Sequence, residues 1–195
     1  MRFLLAAIAA LLLASAAARA GMLLEADLAG TAVWLEVGGQ PDRVLAKVAG
    51  RDYRIDLATA AVVTEGRQLS PSLPEQTPAG TLEPWSDGPV VAGYGTTYQV
   101  LIVGERICGE ALVVAWMAEF TRPLARALEL LERTLPSLAP RAELGCGRLG
   151  FAAFAREVFP LMAGDKGAPF FQVRQLRFDY YPAETAFGPP PGAEP

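Results

Sequence analysis

Residues 31–64 alternate apolar and polar side chains with a period of two, and this pattern constrains the fold more than any other feature of the chain. The alternating apolar positions are Val33, Leu35, Val37, Val44, Ala46, Val48, Tyr53, Ile55 and Leu57. Glycine-containing breaks at 38–42 and 50–52 separate the runs. Connections this short force neighbouring strands to pair antiparallel. The segment therefore predicts an antiparallel meander, with 61–64 as a candidate fourth strand.

Residues 65–96 are rich in proline and are predicted to form a long irregular connection. Proline cannot donate to a strand ladder, and the glycines among the prolines weaken a strand further. Trp85 lies in the middle of this segment and is a candidate interaction residue, since aromatic side chains dominate binding hot spots. We favour a second interpretation, a lid that folds back on the domain's own core, because burial of a large apolar side chain is favourable.

Three later segments have strand character. Residues 98–103 are predicted to be a strand, and 104–106 a hairpin turn. Residues 107–117 are compatible with a strand or a helix, and the apolar, β-branched run 112–114 favours the strand. Residues 170–181 are predicted to be the last strand, although their alternation is imperfect.

Two helices are predicted in the second half of the chain. Thr121 is a candidate N-cap, and Pro123 fits the first turn, where its missing N–H is not needed. The apolar face of this helix comprises Leu124, Leu128, Leu131 and Leu135. A second helix is predicted after Gly150, because the apolar residues recur at helical spacing and are expected to pack in the core; they are Phe151, Phe154, Ala155, Val158 and Phe159.

The fold class expected from these elements is α+β, in a single domain over residues 21–187. An antiparallel sheet from 31–64, 98–117 and 170–181 would pack against the two helices. Residues 188–195 are rich in proline and glycine and are predicted to be a disordered tail.

The first twenty residues follow the pattern of a cleavable secretory signal peptide. Arg2 supplies the positive charge, 3–13 is an apolar run, and small residues precede a cleavage site between Ala20 and Gly21. An alternative cut lies after Ala18. The apolar run is too short to span a hydrocarbon core about 30 Å thick, so a membrane anchor is not expected. A periplasmic or secreted protein without a later membrane span is predicted.

Cys108 and Cys146 are the only cysteines in the chain. In an oxidising compartment an even pair predicts a disulfide, and the wide spacing differs from the C-x-x-C spacing of redox pairs. A loop of this length would stabilise the fold by roughly 4 kcal/mol through the entropy of the unfolded chain. The pair is therefore predicted to be a structural crosslink.

Composition excludes several kinds of chemistry. The chain contains no histidine, which removes the commonest general base and the commonest metal ligand. Without Arg2 and Arg19 it carries 15 basic and 21 acidic residues, a net charge of −6, which does not suit nucleic-acid binding. Residues 145–150 match G-x-G-x-x-G, but a loop precedes them where a dinucleotide site needs a strand. No cofactor and no metal site are predicted.

Two function hypotheses remain. The first is a non-enzymatic periplasmic or secreted binding or accessory module whose partner is another envelope protein. The second is a hydrolase of envelope glycans that uses a pair of carboxylates and needs no histidine. Its available acids are Glu25, Asp27, Asp56, Glu110 and Glu119, and nothing in their spacing separates them from ordinary surface acids.

Overall fold

The computed structural model describes residues 21–73, 80–138, 143–144, 147–155, 157–165 and 168–180. The signal peptide predicted for residues 1–20 and the predicted tail 188–195 lie outside these ranges. Within them the strands are β1 (Gly21–Leu28), β2 (Thr31–Val37), β3 (Arg43–Val48), β4 (Arg51–Asp56), β5 (Ala61–Thr64), β6 (Arg67–Leu69), β7 (Thr81–Val91), β8 (Tyr94–Val103), β9 (Arg106–Val114), β10 (Glu143–Leu144), β11 (Gly147–Arg148), β12 (Phe159–Asp165) and β13 (Ala168–Tyr180). One α-helix, α1 (Arg122–Thr134), and 3-10 turns at Ala115–Met117 and Phe151–Ala153 complete the described elements.

Eleven of the strands form one antiparallel sheet, in the order β6-β5-β4-β3-β2-β1-β13-β12-β9-β8-β7. The short strands β10 and β11 pair only with each other in the described ranges. The predicted α+β fold with two helices packed on the sheet is therefore wrong. The described chain is mostly β, with a single α-helix.

The predicted meander is confirmed as β2 to β5, and its alternation has the expected cause. On β2 the side chains of Val33, Leu35 and Val37 are buried, and the register places Leu35 opposite Ala46 of β3. Helix α1 covers part of this face, where it contacts β2, β3 and β5. The predicted apolar face of α1 is buried as well, including Leu124 and Leu128. The core therefore lies between one face of the sheet and the helix.

Tight two-residue turns join β1 to the meander and β3 to β4. Ala29 and Gly30 both have positive φ, of 53° and 78°, and Ala49 and Gly50 repeat the pattern with 49° and 81°. Positive φ at both central residues is the mark of the type I′ turn, whose twist matches that of the strands it joins. Glycine adopts positive φ without strain, whereas alanine does so at a cost in free energy, so each turn has one unstrained and one strained residue.

The second predicted helix does not form. Phe151–Ala153 is a single 3-10 turn, and Phe159 begins strand β12, which pairs with β9 and β13. Burial explains the misleading spacing: Phe151, Phe154 and Phe159 are all in the core, as predicted. Phe151 lies in the 3-10 turn and Phe159 in a strand, and the other residues of the predicted apolar face belong to neither, because burial and not helical geometry sets which residues are apolar.

Thr121 is the N-cap residue of α1, as predicted, but its side chain does not cap the helix. Its side chain makes no cap hydrogen bond, and its backbone is outside the usual cap conformation. Instead the buried Thr121 hydroxyl donates to the Met117 carbonyl oxygen at 2.8 Å, and the Thr121 N–H donates to the same oxygen at 2.9 Å. The residue ties α1 to the preceding 3-10 turn.

The proline-rich segment 65–96 is not an irregular connection throughout. It contains β6, the whole of β7 and the start of β8. Strand β7 forms an edge of the sheet, and its register is interrupted between Pro84 and Ser86 and between Asp87 and Val90. Prolines are tolerated here because an edge strand needs only one of its two rows of hydrogen bonds.

Candidate functional site

Four aromatic side chains meet at one end of the sheet. Tyr94 begins β8, Trp116 follows the end of β9, Phe178 lies near the end of β13, and Phe120 precedes α1. Antiparallel neighbours alternate in direction, so the start of β8 and the ends of β9 and β13 share one end of the sheet. We call these four residues the aromatic patch.

Trp116 is the centre of the aromatic patch. Its ring centroid lies 6.4 Å from that of Tyr94, 6.3 Å from that of Phe120 and 6.1 Å from that of Phe178. Tyr94 and Phe178 also meet edge to face, at 6.3 Å and 88°. These spacings are those of favourable aromatic pairs. The four rings form one contiguous surface.

Half of the aromatic patch is open to solvent. Trp116 and Phe120 are each 60% exposed, whereas Tyr94 and Phe178 are partly buried. Between the two exposed rings, Met117 is fully buried, and its carbonyl accepts both hydrogen bonds from Thr121. Burial of Met117 and the two hydrogen bonds from Thr121 therefore hold the backbone that carries Trp116 and Phe120 in place. A fixed aromatic surface loses little conformational entropy when it binds a partner.

The sheet divides beneath the aromatic patch. Strand β13 pairs with β12 only from Ala168 to Gln172 in the described chain, while its later residues continue to pair with β1 on the other side. The Tyr94 hydroxyl donates to the Leu176 carbonyl oxygen at 3.1 Å, although β8 and β13 are not neighbours in the sheet. This bond joins the two sides of the division.

Replacing Tyr94 by phenylalanine should therefore weaken the fold. The ring stays in place while the Leu176 carbonyl loses its donor, which should lower the free energy of unfolding by about 1 kcal/mol. Urea denaturation of the two proteins measures the difference. An unchanged free energy of unfolding would mean that water replaces the hydroxyl at no cost and that the bond does not hold the division closed.

Trp85 is not the lid that we favoured from the sequence. Its side chain is 69% exposed and lies on the edge strand β7. The residue falls at the register shift between Pro84 and Ser86, which are paired with Gln99 and Tyr98 of β8. A bulge of this kind re-aims a side chain out of the regular alternation. Trp85 remains a candidate interaction residue.

The edge formed by β7 is poorly suited to accept another strand. Pro84 and Pro89 have no N–H to offer, and two irregularities interrupt the register. Prolines and bulges of this kind protect natural sheet edges from pairing with other chains. Any contact made here should therefore use the Trp85 side chain and not the β7 backbone.

The acids considered for hydrolysis are distributed across the sheet. Asp27 on β1 lies 3.1 Å from Arg174 in an ion pair. Asp56, at the end of β4, accepts the Thr59 N–H at 2.9 Å, and this bond chiefly holds the pKa of Asp56 below its ordinary value. Glu110 is on β9, six positions from β4 in the strand order. Glu110 is hydrogen-bonded to Tyr98: burial raises the pKa of Tyr98 most, and the hydrogen bond and the charge of Glu110 raise it further. Structural partners thus engage three of these five acids.

The other two acids are Glu25 and Glu119. Glu25 shares β1 with Asp27, two residues away, so the two carboxylates project from the same face of that strand. Glu119 lies next to Phe120, between the 3-10 turn and α1. The described structure places neither with a second acid across a cleft.

A groove of about 520 Å³ lies on β2 to β5. Its walls include Trp34, Leu45 and Arg54, with the buried carboxyl group of Glu36 at its base. Lys47 and Asp52 at its side form an exposed ion pair at 3.5 Å. Apolar and oppositely charged groups are mixed in this groove, so it presents no single ligand chemistry.

A buried carboxylate lies on the helix side of the sheet. Glu132 of α1 is only 4% exposed, and both of its oxygens accept the Phe151 N–H, at 3.0 and 3.1 Å. The Gly150 backbone lies against this carboxylate so closely that a Cβ would collide with it. Burial raises the pKa of Glu132 from its ordinary value of 4.5 to about 7; the Phe151 N–H opposes the shift and the Glu129 charge adds to it. Glu132 thus connects α1 to the turn at 150.

The predicted disulfide stays a prediction. Cys108 on β9 is buried, and Cys146 lies outside the described residues. The ring of Phe154 approaches the neighbouring Gly109 so closely that a Cβ there would lie 2.7 Å from Cζ. The segment that follows Cys146 is therefore packed against the strand that carries Cys108.

Sequence reasoning did not single out the aromatic patch. Trp116 and Phe120 are four residues apart just before a helix, which resembles the spacing of a buried helical face. The one available signal was Pro123, which places both residues before the helix proper. The sequence predicts Phe178 within a strand and Tyr94 within the proline-rich connection, so no sequence pattern joins the four residues.

No family model, no curated protein and no solved structure matches this chain. Over the described ranges, no group of three or more metal-binding side chains is found. No helix in the same ranges has the length and apolar character needed to cross a membrane.

Proposed function

We propose that this chain is an exported, non-enzymatic binding or accessory module that contacts another envelope protein through the aromatic patch. The observation that carries the proposal is the pair of rings, Trp116 and Phe120, that are 60% exposed on a fixed backbone. Contiguous exposed apolar surface is uncommon on monomeric proteins and often marks an interaction site. Tryptophan and tyrosine are enriched among the residues that dominate binding energy.

The residues around the patch suit a protein contact better than an enclosed ligand site. Its centre is aromatic, and charged side chains flank it in the sequence, Glu119 and Arg122 beside Phe120 and Arg177 and Asp179 beside Phe178. An apolar centre with a charged rim is typical of interfaces between proteins. A partner that presents an apolar segment would bury both exposed rings.

Export is part of the proposal. Removal of residues 1–20 would leave the described sheet whole, since its strands lie between Gly21 and Tyr180. The predicted crosslink between Cys108 and Cys146 would also suit an oxidising compartment. Intact-mass measurement and fractionation of the expressed chain test this step: export predicts a mass that lacks residues 1–20, in the periplasm or the medium, and retention of those residues contradicts it.

The partner contact is tested by crosslinking and pull-down from envelope extract of the source cells, followed by binding assays with the purified partner. Three baits are compared: the oxidised exported protein, Trp116→Ala and Trp85→Ala. Truncation of a hot-spot aromatic residue costs about 2 kcal/mol or more, so Trp116→Ala should weaken binding by roughly 30-fold. Thermal unfolding of each variant verifies that the fold is intact.

Trp85→Ala is the matched variant, because Trp85 is equally exposed but lies on β7. If Trp85→Ala loses binding and Trp116→Ala keeps it, the contact lies on β7 and not on the aromatic patch, which would contradict the proposal. A partner that both variants bind as well as the unaltered bait would contradict an aromatic contact altogether. If no partner is recovered, glycan hydrolysis assays with the five acids substituted one at a time become the next test.

A further inference from the structure

We propose that the aromatic patch is the docking surface for the chain's own proline-rich C-terminal segment, residues 182–195. This inference deepens the proposed function, since a docked segment would compete with the partner for the same rings. It rests on three observations: where the segment leaves the sheet, what it is made of, and what surface it meets first.

The segment starts beside the patch. Strand β13 ends at Tyr180, two residues after Phe178, whose ring is 6.1 Å from that of Trp116. Fifteen residues follow Tyr180. An extended chain of this length reaches about 50 Å, which is several times the spacing between the patch rings. The segment can therefore turn back across the patch without strain.

The composition of the segment suits an aromatic surface. It contains five prolines, at 182, 189, 190, 191 and 195, and one large apolar residue, Phe187. Consecutive prolines favour the extended polyproline II conformation, which docks on aromatic surfaces at a low entropy cost because it is already ordered. The segment has too few apolar residues to form a core of its own, so it can bury Phe187 only against another surface.

The surface it meets is exposed and fixed. Trp116 and Phe120 present their rings to solvent, and the buried Met117 and Thr121 hold their backbone. Attachment to β13 raises the local concentration of the segment to about the millimolar range, so even a weak contact is occupied. The exposed aromatic surface would then be covered until a partner displaces the segment.

The test measures how accessible Trp116 is in the isolated protein. The chain contains three tryptophans, so Trp34→Phe and Trp85→Phe together leave Trp116 as the sole indole. Pro189→Ser, Pro190→Ser and Pro191→Ser are then introduced together in the full exported chain. If the segment covers Trp116, the serine variant should raise acrylamide quenching of Trp116 by about twofold, as expected for release of a contact that is mostly occupied at millimolar effective concentration. Its emission should also shift to longer wavelength.

A matched protein retains only Trp85, through Trp34→Phe and Trp116→Phe. Trp85 is as exposed as Trp116 but lies on β7, so its quenching should not respond to the three serines. A synthetic peptide of residues 182–195, at millimolar concentration, should restore the protection of Trp116 in the serine variant. Thermal unfolding establishes that each variant keeps the fold of its parent.

Equal quenching of Trp116 with and without the prolines overturns the proposal. So does protection of Trp116 that rises with protein concentration, which would identify a second copy of the chain as the occupant. Protection that appears only with neutral phosphatidylcholine vesicles would identify a lipid surface and overturn it as well. None of these assays contains the envelope partner, so failure here is distinct from failure of the pull-down.

Discussion

Replacing both Cys108 and Cys146 by alanine should lower the free energy of unfolding by about 4 kcal/mol. The crosslink would close a loop with 38 intervening residues, and closing such a loop restricts the unfolded chain far more than the folded one. Folded domains of this size are stable by only about 5–15 kcal/mol, so the loss is a large fraction of the total.

The packing around Cys108 suggests that the crosslink would provide its full stabilisation of about 4 kcal/mol without straining the strand. Cys108 is 3% exposed and belongs to the core, and the next residue, Gly109, is in close contact with the ring of Phe154. The chain after Cys146 therefore already returns to β9 through apolar contacts. A disulfide here would reinforce an existing arrangement, so it would gain the entropic stabilisation without distorting the strand.

Urea denaturation under oxidising and reducing conditions measures this effect. The unaltered protein should lose about 4 kcal/mol when a reductant is added. The double alanine variant should be insensitive to the reductant and match the reduced protein, apart from the small cost of removing two buried sulfur atoms. Two free thiols in the denatured, non-reduced protein, or equal stability in both conditions, would show that the pairing is wrong.

The elements that were predicted correctly are those that repeat a local signal. Strands β2 to β5 alternate in sequence because only one of their faces is buried, and α1 has both a clear apolar face and a proline in its first turn. The hairpin turn with positive φ at Ala49–Gly50 makes the pairing of β3 with β4 local. A sequence reader needs no knowledge of distant contacts to find such elements.

Each of the missed strands β1 and β12 has one neighbour that is adjacent in the chain and one that is distant. Strand β1 lies between β2 and β13, and it buries the consecutive residues Leu23 and Leu24, so it does not alternate. Strand β12 carries Pro160 near its start and lies between β13, which follows it directly in the chain, and β9, which ends far upstream at Val114. Only the sheet as a whole explains why these residues are extended.

The aromatic patch was missed for a related reason. Its four residues come from β8, from the turn after β9, from the entry into α1 and from β13, and the strand order alone unites them. In sequence each ring is indistinguishable from a core residue. Whether Trp116 faces inward or outward is decided by the 3-10 turn, which directs Met117 into the core instead.

Glutamine at position 132 should remove most of the pH dependence of stability between about pH 4.5 and pH 7. The folded protein raises the pKa of the Glu132 carboxyl from 4.5 to about 7. Within this window the folded state holds a proton that the unfolded state has released, so stability falls as the pH rises. Above pH 7 the folded state must keep a charge in the core.

The size of the effect follows from the pKa difference. Each pKa unit corresponds to about 1.4 kcal/mol, so Glu132 should make the protein roughly 3 kcal/mol less stable at pH 8 than at pH 4.5 through this residue alone. Glutamine keeps the length of the side chain and one oxygen that can accept the Phe151 N–H, but it does not titrate. Glu132→Gln should therefore be more stable than the unaltered protein at pH 8 and similar to it at pH 5.

Urea denaturation from pH 5 to pH 8.5 measures both curves, and Glu129→Gln is the matched control. Glu129 is partly exposed one turn before Glu132, and its charge only adds to the pKa shift that burial dominates. Glu129→Gln should keep most of the decrease in the free energy of unfolding with rising pH, whereas Glu132→Gln should remove most of this decrease. The idea fails if both variants keep the slope of the unaltered protein. A flattened curve for Glu132→Gln alone would mean that stability falls as the pH rises because one buried carboxylate loses its proton, and that the Phe151 N–H offsets only part of the cost of burying the charge.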